Sequence, residues 1–231
     1  MTALVGPKHS AAIEDYLKTI YLLEQEHRQV STSLLAARLG FALASVTGML
    51  QKLARLGLVA YTPYHGVALT DEGRRGALAV LRHHRLLELF LVESLGYSWE
   101  EVHEEAEVLE HVLSERLEAR IAAQLGHPTV DPHGDPIPLP DGTLPASVSQ
   151  SLADVPVGTQ TQIVRVTDQT PEHLRYLATL GLVPGAAVTI RARAPFDGPL
   201  TVGVGAATHP LDSRIARALL VEHATSTSFE F

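Results

Sequence analysis

Within its first seventy residues the chain changes hydrophobic period in an order that few folds can accommodate. Residues 11–26 carry Ile13, Leu17, Ile20 and Leu23 at the spacing of one helix face. A short helical stretch follows at 33–39, then the turn Gly40-Phe41-Ala42, then a helix over 44–56. Residues 59–70 place β-type side chains on both sides of Pro63-Tyr64-His65-Gly66, the pattern of a hairpin. Helix, helix, turn, helix and hairpin, in that order, predict a winged helix-turn-helix.

The helix at 44–56 has an apolar side (Val46, Met49, Leu50, Leu53, Leu56) and a small, polar and basic side. On the latter, Ser45, Thr47 and Gln51 suit base edges, and Lys52 and Arg55 suit phosphates. Tyr64 and His65 would lie at the wing tip near the DNA backbone. The net charge of −8 argues against a nucleic acid partner only until it is divided by region. Residues 1–75 hold eight Lys/Arg against six Asp/Glu, residues 76–126 four against ten, and residues 127–231 six against ten. The acid is concentrated beside the histidines, and the front of the chain is mildly basic.

Thr70 and Asp71 can open a helix that runs to about Ser94 and ends at Gly96. Ser98 and Glu101 form a capping-box pattern for a helix from 98, and Ser114 can cap a further one ending near Gly126. His84 and Glu88 lie four residues apart, on one face of the first of these helices. On the second, His103, Glu107, Glu110 and His111 fall at about 0, 40, −20 and 80 degrees around a helical wheel. An ordinary amphipathic helix would put Leu or Val on that arc. Two His interleaved with two Glu, facing a further His/Glu pair, predict a metal site. With no Cys in the chain, the donors are imidazole and carboxylate, a set for Mn(II), Fe(II), Co(II), Ni(II) or Zn(II) rather than Cu(I). The lack of Cys fits a reducing cytoplasm. The first ten residues lack a signal peptide's apolar stretch, and no apolar run is long enough to span a bilayer, so no membrane partner is expected.

Residues 127–150 contain six prolines and read as a semi-extended linker. Alternating stretches at 161–167, 187–193, 200–204 and 218–222, with a helix at about 171–180, predict a small β domain after it. The fold class is mainly α with a small β domain. Two other functions fit parts of this pattern. A di-metal carboxylate enzyme would need donors on four bundle helices, and only two strong donor helices are present. A winged-helix regulator sensing a non-metal ligand would leave the His/Glu stripe as structure alone.

Several stretches together resemble the diphtheria toxin repressor family of iron- and manganese-dependent regulators: EDYLKTIYLLE (14–24), ASVTGMLQKLARLGLV (44–59), LTDEGRRGA (69–77), HHRLLELFL (83–91) and VHEEAEVLEHVLSE (102–115). HLRYLATLGLVPGAAVTI (173–190) is similar to that family's SH3-like C-terminal domain. The resemblance implies a winged helix-turn-helix over 1–73, a helical dimerisation and metal domain over 74–126, a Pro-rich linker over 127–150 and an SH3-like (FeoA-like) barrel over 151–231. It implies a non-enzymatic, metal-dependent repressor of metal-uptake genes, acting as a homodimer on a pseudo-palindromic operator in double-stranded DNA. By position, Asp15, Glu107, Glu110 and His111 resemble the activating site, and His84, Glu88 and His103 the ancillary site. That family's SH3-like domain supplies a Glu and a Gln to the ancillary site; Thr170 stands at the Glu position and His173 at the Gln position, so Glu172 and His173 are its candidate donors here. Iron-type members carry Met and Cys at the positions of Asp15 and Glu107. Two carboxylates there favour Mn(II), with Fe(II) the alternative and Co(II), Ni(II) or Zn(II) as substitutes in vitro. Lys18 stands where the short two-manganese regulators carry Glu, and Gly48 where a polar base reader is usual.

Overall fold

The structure is a computed structural model describing residues 9–146, 149–196 and 198–223. The chain forms two compact units: Met1–Leu87 with Ala106–His127 and Ile137–Pro145, and Glu88–Glu105 with Pro128–Pro136 and Ala146–Phe231. Helices α4 (Asp71–Leu95) and α5 (Val102–Leu109) contribute residues to both. No single helix among the described residues is long and apolar enough to cross a membrane.

The first unit opens with α1 (Ala11–Glu26), α2 (Thr32–Leu39) and α3 (Leu43–Arg55), then the hairpin β1 (Val59–Thr62) and β2 (Gly66–Leu69). Leu17, Ile20, Leu23, Leu35, Val46, Leu50, Leu53 and Leu58 fill its core, joined by Ala77, Leu78 and Leu81 from α4. Each of these leucines removes roughly 1.5–3 kcal/mol worth of apolar surface from water. The Ser31 hydroxyl accepts from the Leu34 amide at 3.1 Å and caps α2, a contact worth about 1 kcal/mol. Gly40 follows at φ 70, a conformation that lets the chain reverse between α2 and α3 with no Cβ penalty. The wing pairs Val59 with Leu69 and Thr62 with Gly66, and Tyr64 turns its tip at φ 65.

Four sequence expectations shift. Leu56, placed on the apolar side of α3, caps that helix and is 51% exposed. Helix α5 starts at Val102 rather than 98, because the Ser98 hydroxyl donates to the Glu101 carboxylate at 2.5 Å instead of capping a backbone amide. It also ends at Leu109, so Glu110 and His111 lie in the following turn, where the Glu110 amide still reaches Ala106 O at 2.9 Å. After that turn Ser114 caps α6 (Glu115–Gln124), as its spacing predicted.

The fourth shift is the proline-rich stretch, which is folded rather than loosely extended. Ile137 is fully buried, and Arg82 donates to the Pro138 carbonyl at 2.7 Å, both within the first unit. In the second unit Val130 bridges back to Pro136, and Asp131 Oδ1 accepts from the His133 and Asp135 amides at 2.8 and 2.9 Å. The prolines shape a tight loop whose amides are satisfied by one aspartate.

The rest of that unit comprises β3 (Gln150–Ser151), a 3-10 turn at Leu152–Asp154, β4 (Gln160–Val166), α7 (Pro171–Thr179), β5 (Ala187–Arg193), β6 (Leu200–Val204), β7 (Ala207–Leu211), α8 (Ser213–Ala218) and β8 (Leu219–His223). Its six strands form one antiparallel sheet in the order β3-β8-β4-β5-β6-β7, around a core of Leu152, Ile163, Leu174, Leu177, Ile190 and Val202. Register shifts in β4 and β5 mark bulges, which add the twist that a small coiled sheet needs. Strand β7 and helix α8 escaped the sequence reading. The former is an edge strand that contains Pro210, and the latter is six residues long.

The loop over 128–136 is stitched to this sheet. Val166 donates to the His133 carbonyl at 2.8 Å, Gln169 to Asp135 at 2.7 Å, and Arg165 pairs with Asp135. Gly134, at φ 87, passes so close to β4 that a Cβ would stand 1.8 Å from the Val164 carbonyl oxygen.

Candidate metal centres

Two donor clusters stand out, one in each unit. In the first, α1 supplies Glu14 and Asp15, and the turn after α5 supplies Glu110 and His111. The His111 Nδ1–H donates to Glu14 at 2.7 Å, so the ring presents Nε2 to Asp15 Oδ1 at 2.9 Å and Glu110 Oε1 at 3.5 Å. The donor atoms of Asp15, Glu110 and His111 all lie within 4.8 Å of one another. Asp15 Oδ1 is buried and makes no hydrogen bond. A buried carboxylate oxygen left in that condition, beside an imidazole nitrogen, is what a divalent cation would satisfy. The residues therefore fit the metal that the donor pattern predicts.

The electrostatics agree. Burial pushes the Asp15 carboxyl above the ordinary carboxylate range; His111 and Lys18 pull it down, and Glu107 and Glu110 add to the rise. Burial works against a charged His111, yet the hydrogen bond to Glu14 and the charges of Glu110 and Asp15 outweigh it and hold the imidazole above its ordinary value. The carboxylates that favour a charged His111 are thus the ones a metal would share with it.

Glu107 and Glu110 face a further partner. The Lys18 ammonium, buried on α1, lies 2.6 Å from Glu107 Oε1 and 2.6 Å from Glu110 Oε1. Burial opposes its charge, but the two carboxylates more than compensate and raise its pKa. His84 Nδ1 takes the other Glu110 oxygen at 2.5 Å. Beside it, His83 spans the Glu110 carbonyl and Glu118, both at 3.1 Å, in a structural role.

The second cluster is deeper. His133, 1% exposed, places its Nε2 2.7 Å from the Trp99 carbonyl and stacks on the Trp99 ring at 5.7 Å. With Nε2–H donating to that carbonyl, Nδ1 is the nitrogen that faces the cluster. That nitrogen is buried with no hydrogen-bond partner, 3.9 Å from Glu88 Oε2 and 4.0 Å from Asp131 Oδ1. The three donors fall within 4.8 Å of one another. His103 Nδ1 stands 3.4 Å from the other Glu88 oxygen, Oε1.

Of the residues expected from sequence, Asp15, Glu110 and His111 come together, with Glu107 beside them on the Lys18 ammonium. Glu88 meets His103, and His84 sits one turn before Glu88 on α4. Glu172 and His173 join no donor cluster among the described residues: the Glu172 side chain is 83% exposed beside Arg175, and His173 Nδ1 bonds to the Asp168 carbonyl at 2.8 Å. Asp131 and His133 were not singled out by the sequence reading, although Asp-Pro-His between prolines puts two donors two residues apart. Glu14 was also missed, adjacent as it is to Asp15.

The polar and basic side of α3 is open. Ser45, Gln51, Lys52 and Arg55 are exposed, and so are Tyr64 and His65 on the wing. Thr47 is half-buried, and its hydroxyl donates to the Leu43 carbonyl at 2.8 Å, which leaves its oxygen only as an acceptor. Phe41, stacked on Tyr16, and Leu43 are exposed at the start of the same helix.

Comparison with known proteins agrees with this geometry. Residues 8–67 match the family described as iron dependent repressor, N-terminal DNA binding domain. Residues 70–139 match iron dependent repressor, metal binding and dimerisation domain, and residues 150–223 match the FeoA domain. The chain is 35% identical over 223 residues to the iron-dependent repressor IdeR of Mycobacterium tuberculosis, covering 90% of this chain and 96% of that one. Among solved structures, a manganese-dependent transcriptional repressor in complex with manganese is 44% identical with a TM-score of 0.82, covering 91% of this chain and 99% of the other. ScaR with bound Zn2+ is 32% identical with a TM-score of 0.75, again over 91% and 99%. With a winged helix-turn-helix, a helical metal and dimerisation domain and an FeoA domain in succession, the chain belongs to the diphtheria toxin repressor family of iron- and manganese-dependent regulators.

Proposed function

We propose that the chain is a metal-activated transcriptional repressor that binds a pseudo-palindromic operator as a homodimer and responds to Mn(II) in preference to Fe(II). The observation that carries this is the meeting of Asp15 with Glu110 and His111, since it joins α1 of the DNA-binding domain to the turn after α5 through a buried, unsatisfied carboxylate oxygen. The activating ion is assigned to Asp15, Glu107, Glu110 and His111. When bound, a divalent cation supplies the positive charge that lets those donors share one point. Asp15 then holds α1, and through it the orientation of α3, while Glu14 fixes the His111 ring so that Nε2 faces the site. Metal acts as an allosteric ligand by favouring that one arrangement. Ser45, Thr47 and Gln51 contact bases, and Lys52, Arg55 and the wing residues Tyr64 and His65 contact the backbone.

A second ion is assigned to Glu88, Asp131 and His133, with His103 beside Glu88. His84 keeps the place in this ancillary set that the family resemblance gives it. Oxygen and nitrogen donors throughout support Mn(II), a harder ion than those that seek sulfur. Uptake genes for the same metal are the expected targets. The test is fluorescence anisotropy on duplexes selected from a random pool by the Mn(II)-loaded protein, titrated with Mn(II), Fe(II) or Zn(II) and with chelator. Equal affinity in chelator and in Mn(II) would remove the metalloregulator reading.

A further inference from the structure

We infer that Lys18 is an internal cation that competes with the activating metal and so sets the concentration at which the site fills. The inference rests on the activating-site assignment above. Both oxygens of Glu110 are already engaged in this structure: Oε2 by His84 at 2.5 Å and Oε1 by Lys18 at 2.6 Å. The oxygen that Lys18 takes is also the one that faces His111 Nε2, at 3.5 Å. An ion joining His111 and Asp15 to Glu110 therefore meets the ammonium at that oxygen, and repulsion between the two cations drives Lys18 from it. Glu107 Oε1 is held by the same ammonium at 2.6 Å. Two of the four assigned donors are thus occupied before metal arrives, by a group that cannot diffuse away.

Lys18 is buried, so its charge acts in a medium where like-charge repulsion with an incoming divalent ion is poorly screened. Filling the site means breaking two charge-assisted hydrogen bonds and moving a buried ammonium. A lysine in this place lowers metal affinity while keeping the carboxylates in position and neutralised in the metal-free form. A counter-ion that simply stayed in place would behave in the opposite way, since its loss would leave the site poorer at holding metal.

The experiment compares wild type, K18M, K18Q and K18R as full-length chains, by titrating Mn(II) and reading the free ion by electron paramagnetic resonance. H111A identifies which binding step belongs to the activating site. The K18M and K18Q variants should bind Mn(II) at that step roughly tenfold more tightly or better. K18R, which keeps the charge, should stay near wild type, and the other Mn(II) step should not move in any variant. Thermal melts in chelator should show K18M and K18Q less stable than wild type, with a larger gain on adding Mn(II). Two neutral variants, checked by circular dichroism, guard against a fold defect in one of them. Unchanged or weaker Mn(II) binding in folded K18M and K18Q would overturn the inference. Absence of any His111-dependent step in wild type would instead remove the assignment beneath it, and the inference with it.

Discussion

The His111 and His133 clusters are built on one plan and differ in what surrounds them. In each, the far ring nitrogen is tied, to the Glu14 carboxylate or to the Trp99 carbonyl, and the near one faces two carboxylates. That is the arrangement by which an outer partner orients a metal-binding imidazole. The His111 cluster draws its donors from α1 and from a turn some ninety residues later, and Asp15 and Glu107 reach solvent there, at 39% and 38% side-chain exposure. The His133 cluster is shut away, with Glu88 and His133 at 3% and 1%. A site that joins α1 to the turn after α5, part open and already holding an ammonium, is suited to filling and emptying. A closed one is suited to holding its ion and stiffening the chain around it.

The sharpest way to break this contrast is to delete each imidazole. H111A and E110A should lose metal-dependent operator binding by about a hundredfold or more while remaining folded, since a ligand removed costs more than the tenfold to hundredfold typical of outer-shell changes. H133A should lose one bound ion per chain in metal analysis after dialysis, and weaken operator binding only about tenfold. If H133A were the more damaging to DNA binding, the roles of the two clusters would be exchanged.

Donor chemistry sharpens the comparison further. In D15M/E107C, two anionic oxygens give way to a thioether and a thiol, so the Mn(II) needed for half-maximal operator binding should rise tenfold or so while that for Co(II) changes little. An unchanged Mn(II) midpoint in the folded double variant would show that neither carboxylate holds the activating ion.

The smallest expected effect is on pH. His111 is raised above its ordinary value of 6.5, so its proton stabilises the metal-free fold below that pH, and the contribution is lost as pH rises through the folded value. Metal must displace the same proton, so Mn(II) affinity should fall by up to about tenfold per unit as pH drops through that range. Isothermal titration in two buffers of different ionisation enthalpy would count the protons released; a count of zero would contradict it.

Local pattern made most of the fold legible, and long-range approach hid the remainder. The helix faces of α1 and α3, the hairpin and four of the barrel strands follow from periodicity, because each buries one face against a core. His84, Glu88, His103, Glu107, Glu110 and His111 were visible because six donors replace apolar residues at helical spacing. Asp15 came only through family resemblance, since one aspartate on a half-exposed helix carries no signal of its own. Asp131 and His133 lie in a stretch whose six prolines gave no period to read, and only the fold-back onto β4 aims them inward. The capping box at Ser98 misled for a related reason, as the Ser98 hydroxyl found a side chain nearer than a backbone amide.

The tight passage of Gly134 across β4 ties the inheritance of two distant segments together. Any larger residue at 134 would collide with the Val164 carbonyl, displacing His133 next to it from the strand that holds it. The barrel is therefore not an exchangeable module. A chimaera that replaced residues 150–223 with an unrelated domain would lose the wall against which Asp131 and His133 are set, even with every donor retained. A graft that kept both Gly134 and the bulged β4 should preserve the cluster.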